Sequence, residues 1–194
     1  HERFGGKLVE YGGIVEERIS GEKLESPSVQ MRALPDGSVE LLSTHDQLLG
    51  GASGQKYLGC VFPANPEYAA AIAEPAMVIG RRLAELGALG RFAVDFVVVQ
   101  DNTGAWTPYA IELNLRKGGT THPFLTLQFL TDGSYDGDRG VFLTPSGSSK
   151  YLVATDHFED DRLKALTVRE LFDVVVRHGL HFDQARRTGV VFHM

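Results

Sequence analysis

The sequence holds one cysteine, Cys60, so no internal disulfide can form and the fold must be held by its core. That usage suits a reducing compartment, and a cytoplasmic location is the expectation. No apolar run approaches the roughly 20 residues a membrane span needs, and no signal peptide opens the chain, so no membrane role is expected. Basic residues are not in excess: 19 Lys and Arg stand against 25 Asp and Glu, a formal charge of -6. Sequence-independent binding to nucleic acid needs a basic surface, and none is on offer. Histidines occur, but His122, His157, His178, His181 and His193 are scattered with no H-x-x-x-H or H-E-x-x-H spacing, which argues against zinc. Internal repeats and heptads are absent too.

What remains is an ordinary globular composition, with 43% apolar residues in a chain of 194. A chain of that size buries roughly 70% of its unfolded surface, in one large domain or two small lobes. The chain starts at "HERFGGKLVE" without a Met and stops inside the strand-like "RTGVVFHM". A piece of a longer protein is the expectation.

Punctuation divides the chain. "YGGIVEERI" (11–19) reads as a strand, and "SVQMRALPDGSVELLST" (28–44) as a hairpin about Pro35-Asp36-Gly37. The glycine-rich "HDQLLGGASGQKYLG" (45–59) reads as a loop. Asn65 can cap a helix that has Pro66 at its first position and runs to about Leu86, with a kink or break expected at Pro75. Gly87 and Gly90 close it. "RFAVDFVVVQ" (91–100) and "WTPYAIELNL" (106–115) are strands about "DNTG", and a helix is expected after Thr121-His122-Pro123. Residues 131–150 read mostly as loop, "KYLVATDHF" (150–158) as a strand, and Thr167 with Glu170 as a capping box opening a helix closed by Gly179. Hairpins dominate, so the class is α+β, a largely antiparallel sheet with flanking helices.

One strand is chemically odd. "YAIELNL" places Glu112, Asn114 and Arg116 at alternate positions, hence on or near one face. If "DNTG" closes the hairpin with an even number of loop residues, Asp95 shares that face, opposite or diagonal to Glu112. Two carboxylates that close repel unless a cation sits between them. Asp, Glu and Asn oxygens suit a hard cation, Mg²⁺ or Mn²⁺. Arg116 adds positive charge where an anion would lie, and Gly118-Gly119-Thr120-Thr121 can present backbone N–H groups to it. Metal plus arginine beside two acids is the equipment of phosphoryl transfer. The plainer alternative is a solvated sheet face with Arg116 as a salt-bridge partner.

The segment "FAVDFVVV…YAIELNLRKGGTTHP" resembles the metal and phosphate segment of ATP-grasp ligases. The resemblance implies that Asp95, Glu112 and Asn114 bind Mg²⁺ (or Mn²⁺) and that Arg116 steadies the transferring phosphate. "IVEERISGEKLESPSVQM" (14–31) resembles the hinge strand and the strand after it, which implies Glu16, Glu17, Arg18 and Ile19 as the adenine hinge and Glu25 as a ribose contact. Residues 43–64 resemble the substrate-side loop, with Arg32 and Lys56 as candidate anion contacts. "ELNLRKGGTTHPF" with "LFDVVVRHGLHFDQARRTGVVFHM" is most similar to pheganomycin-type peptide ligases, a likeness over essentially the whole chain. It implies a C-terminal ATP-grasp lobe over 1–149 and the start of a small accessory domain over 150–194. Only thirteen residues precede Ile14, so the N-terminal lobe of such a fold is expected to be absent. The implied reaction is ATP-dependent joining of a small carboxylate and an amine through an acyl-phosphate, with release of ADP. A nucleotide-binding module without turnover and an ATP-grasp kinase of a small hydroxyl substrate are the rival readings.

Overall fold

The computed structural model describes residues 2–192, so His193 lies outside the described residues. In chain order the elements are α1 (Glu2–Tyr11), β1 (Lys23–Glu25), β2 (Pro27–Ala33), β3 (Val39–Gly50), β4 (Lys56–Phe62), α2 (Pro66–Glu85), β5 (Gly90–Gln100), β6 (Trp106–Asn114), α3 (Thr121–Thr131), β7 (Ser134–Asp136), β8 (Val141–Leu143), β9 (Ser149–Lys150), β10 (Leu152–Thr155) and α4 (Val168–Arg177). The class is α+β. A seven-stranded sheet, antiparallel at each pairing, runs from β6 through β5, β2, β3 and β4 to β10. β1 continues β2 along β5 in the same register, interrupted only at Ser26.

α2 covers one face of this sheet. Tyr68, Ile72 and Ala76 recur at helical spacing and pack on Val29 and Met31 of β2 and on Phe92, Val94, Phe96 and Val98 of β5. The N-cap works as the sequence indicates, with Asn65 Oδ1 accepting from the Glu67 N–H at 3.0 Å. The expected break at Pro75 does not occur: α2 is one helix of 20 residues. Its buried stripe continues across Pro75 from Ile72 to Ala76 and Gly80, and that packing outweighs one missing helical hydrogen bond. On the other face, Phe124 and Leu127 of α3 meet Phe62 of β4 and Phe142 of β8.

Two further expectations are overturned. Residues 12–21 have no regular secondary structure, because Ile14 and Val15 are 87% and 100% exposed and have no surface to pair or pack against. The stretch 45–59 is not a loop but most of a second hairpin, β3 with β4. Its glycines do two different jobs: Gly51 and Gly54 take positive φ in the turn, while Gly59 lets β10 approach, since a Cβ there would sit 2.0 Å from the Ala154 carbonyl oxygen. Residues 131–150 are mostly loop, as read, with three short strands that form a small sheet, β7-β8-β9. The strand expected at 150–158 is present but shorter, at Leu152–Thr155, the helix expected after Pro123 begins two residues earlier at Thr121, and the Thr167/Glu170 capping box stands as read.

Candidate functional site

The β5–β6 hairpin builds the acid face. Its turn is organised by Asp101, whose Oδ1 accepts from Thr103 N (2.8 Å), Thr103 Oγ1 (2.6 Å) and Ala105 N (3.0 Å). Gln100 pairs with Trp106, so residues 101–105 form the loop, an odd count rather than the even one expected. Uncorrected, that register would set Asp95 opposite Ile111 and turn Glu112 away. A bulge between Asp95 and Phe96 absorbs one residue of β6, and Asp95 ends directly opposite Glu112. Asn114 then pairs with Ala93 on the same face, and its Nδ2 donates to Asp95 Oδ2 at 3.2 Å.

Asp95 is half-buried and Glu112 exposed. Burial pushes the Asp95 carboxyl above the usual carboxylate range, and the facing Glu112 charge pushes the same way. Hydrogen bonds from Ser28 and Gln47 oppose the shift without cancelling it. The donor set is therefore two carboxylates in direct opposition plus an amide, all oxygen ligands, which fits a hard divalent cation that keeps several waters. Among the described residues no group of three or more His, Cys, Asp or Glu is arranged to hold a metal, so the site offers two acids and no third.

Past β6 the chain turns at once. Arg116 N donates to the Asn114 carbonyl at 2.8 Å, and its Nη1 donates to the Lys117 carbonyl at 3.2 Å. The guanidinium is exposed and enters no ion pair among the described residues. Gly118 N donates to Thr121 Oγ1 at 3.3 Å as α3 begins. Gly119 packs on Tyr57: a Cβ at 119 would stand 3.1 Å from the phenol oxygen. Tyr57 thus joins the glycine loop to β4, and burial, with a hydrogen bond to Cys60 and the charges of Asp156 and Asp95, raises its pKa.

The other candidates lie elsewhere. Glu16, Glu17 and Arg18 are exposed and Ile19 half-buried, all in the irregular segment before β1. Glu25 pairs with Val98, which puts it on the α2 face, opposite to the face of Asp95. Lys56 is exposed at the start of β4. Arg32 is taken by Glu40, with Nη2 2.6 Å and Nε 2.8 Å from Oε2. The structure brings together Asp95, Glu112 and Asn114, with Arg116 two residues on. Two clefts, of about 900 Å³ beside Phe129 and Val191 and about 440 Å³ beside Lys150 and Arg186, are not lined by any of these residues. Ser28, Gln47 and Tyr57 are the contacts that sequence reasoning missed. The alternation Ser28-x-Gln30 inside a buried strand was the available signal.

The family described as IQCH-like, ATP-grasp matches residues 1–138, and the chain belongs to it. It is 33% identical over 193 residues to L-propargylglycine–L-glutamate ligase of Streptantibioticus cattleyicolor, a match covering 100% of this chain and 38% of that protein. It is 24% identical over 186 residues to IQ motif-containing protein H of Danio rerio, covering 93% of this chain and 18% of that one. The chain thus spans well under half the length of either relative. Among solved structures, a biotin carboxylase in an ATP-analogue complex from Campylobacter jejuni is similar at 18% identity and a TM-score of 0.47, over 66% of this chain and 27% of that one.

Proposed function

We propose that this chain is the metal- and phosphate-binding part of an ATP-dependent ligase that joins a small carboxylate to an amine. The carrying observation is Asp95 set opposite Glu112 by a β-bulge, with Asn114 bonded to Asp95, in a chain of the ATP-grasp family. The likeness to a ligase over the full length of this chain supports the amide-forming reaction.

In that reaction the substrate carboxylate attacks the γ-phosphorus of ATP, ADP leaves, and the amine then displaces phosphate from the acyl-phosphate. Asp95, Glu112 and the Asn114 side-chain oxygen would hold Mg²⁺ (or Mn²⁺), which when bound neutralises phosphate charge. The two carboxylates supply the negative charge that would hold the cation, and Asn114 Nδ2 donates one hydrogen bond to Asp95 Oδ2. Arg116 has no acid partner among the described residues, and its role is to steady the transferring phosphate.

The nucleoside contacts of Glu16, Glu17, Arg18, Ile19 and Glu25, and an anion contact of Lys56, rest on the family resemblance alone. So does the division into 1–149 and 150–194, with β10 as the strand by which the second unit would add to the sheet of the first. A cytoplasmic location is proposed from cysteine usage, and no described helix is long and apolar enough to cross a membrane. An ADP-release assay with Glu112→Gln in the intact, full-length enzyme tests the reading. Loss of turnover with an unchanged circular-dichroism spectrum is expected, and turnover near the wild-type rate would refute it.

A further inference from the structure

The face of the sheet that carries Asp95 buries polar side chains: Ser28 is 1% exposed, Gln30 4%, and Ser43 and His45 0%. Alternation and register place all four on that face. Two of them satisfy each other. His45 Nε2 lies 2.8 Å from Ser43 Oγ, its Nδ1 3.8 Å from Cys60 Sγ, and its ring stacks on Phe62.

Ser28 is placed differently. It sits directly opposite Asp95 across the β2–β5 pair. Gln30 Nε2 donates to Ser28 Oγ at 3.5 Å, which leaves the Ser28 hydroxyl proton for the facing Asp95 carboxylate, and Ser28 holds the Asp95 pKa down against burial. Gln47 of β3 lies on that face by alternation and also lowers the Asp95 pKa, and Asn114 Nδ2 of β6 donates to Asp95 Oδ2 at 3.2 Å. Polar side chains on three different strands therefore act on one carboxyl. Left alone, two facing carboxylates would rotate apart, since each gains by moving its charge toward water.

We propose that Ser28 and Gln47 are positioning residues that hold the Asp95 carboxylate toward Glu112, so that the acid pair is preformed before a divalent cation arrives. This rests on the reading of the acid pair as a cation site. The cation gains affinity because its ligands need no ordering when it binds, and losing such supporting hydrogen bonds typically weakens metal binding by about 10–100-fold.

Two measurements test it. The first needs no metal: crystal structures of Ser28→Ala and Gln47→Leu in metal-free protein. The Asp95 carboxylate should turn away from Glu112 in both, and the wild-type rotamer retained in both would overturn the proposal. The second follows Mn²⁺ uptake by electron paramagnetic resonance. Ser28→Ala and Gln47→Leu should each weaken uptake by about tenfold or more, while Ser28→Thr, which keeps the hydroxyl, should restore it to within about threefold. Unchanged affinity in both Ser28→Ala and Gln47→Leu, or equal losses in Ser28→Ala and Ser28→Thr with both still folded, would also overturn it. Wild-type protein that takes up no Mn²⁺ would defeat the cation reading instead, and the metal-free rotamers would still decide whether Ser28 and Gln47 position Asp95.

Discussion

Asp95 works against its surroundings. Burial and the Glu112 charge both favour its neutral form, and only hydrogen bonds favour the ionised one. A carboxyl whose folded pKa is raised contributes stability that is fully present below its unfolded value, here 3.8, and lost as pH rises through the folded value. In metal-free protein Asp95→Asn should therefore melt a few degrees higher than wild type at about pH 7, and the gap should close as pH falls below the ordinary carboxylate value. Thermal melts across that range check it. Divalent cation should reverse the order, because it binds the wild-type acid pair more tightly than it binds a site with one carboxylate replaced by a neutral amide. By the same sign, metal affinity should fall with acidity at a higher pH than an ordinary carboxylate would give, read by Mn²⁺ titration at several pH values. The acid face itself was legible from alternation: Glu112 and Asn114 declare it. The reason it works was not, since an odd loop needs the bulge at β6, and bulges leave little trace in sequence.

At the scale of elements, legibility followed local chemistry. The Asn65-Pro66 start, the Thr167/Glu170 box and the Pro-Asp-Gly hairpin are set by residues next to one another, and all three were readable. Glycines misled because their meaning is set by distant partners. Gly59 looked like loop, yet it is the point where β10 closes on β4. Gly59→Ala combines φ of +147 with a backbone clash, so it should cost about 2–4 kcal/mol in chemical denaturation and loosen β10 first in hydrogen exchange. Pro75 misled in the opposite sense. Its ring removes one hydrogen bond, to the Ala71 carbonyl, from a helix that tertiary packing holds together. Pro75→Ala should therefore stabilise the chain by about 1–3 kcal/mol, seen as a raised denaturation midpoint at unchanged slope. The strand expected at 11–19 failed for a third reason: β-branched residues give strand propensity, but Ile14 and Val15 stay 87% and 100% exposed and pair with no strand among the described residues.

For the whole molecule, the mixture of hairpins and capped helices was enough to give an antiparallel α+β fold, and the ATP-grasp family follows from the match over residues 1–138. Composition could not order the strands. That β2, rather than β6 alone, flanks β5 is a long-range fact, and it is what delivers Ser28 to Asp95. Identity of the acid and the amine is equally beyond local chemistry, because the role proposed for the acid face concerns phosphate and metal rather than substrate side chains. The central claim is that this face holds a metal–nucleotide complex. Its most direct test is calorimetric titration of ADP into the protein with and without Mg²⁺, for wild type and Glu112→Gln. The account predicts Mg²⁺-dependent binding in wild type, weakened on the order of 100-fold in Glu112→Gln with the fold intact. Binding of equal strength in both proteins, with or without Mg²⁺, would contradict it.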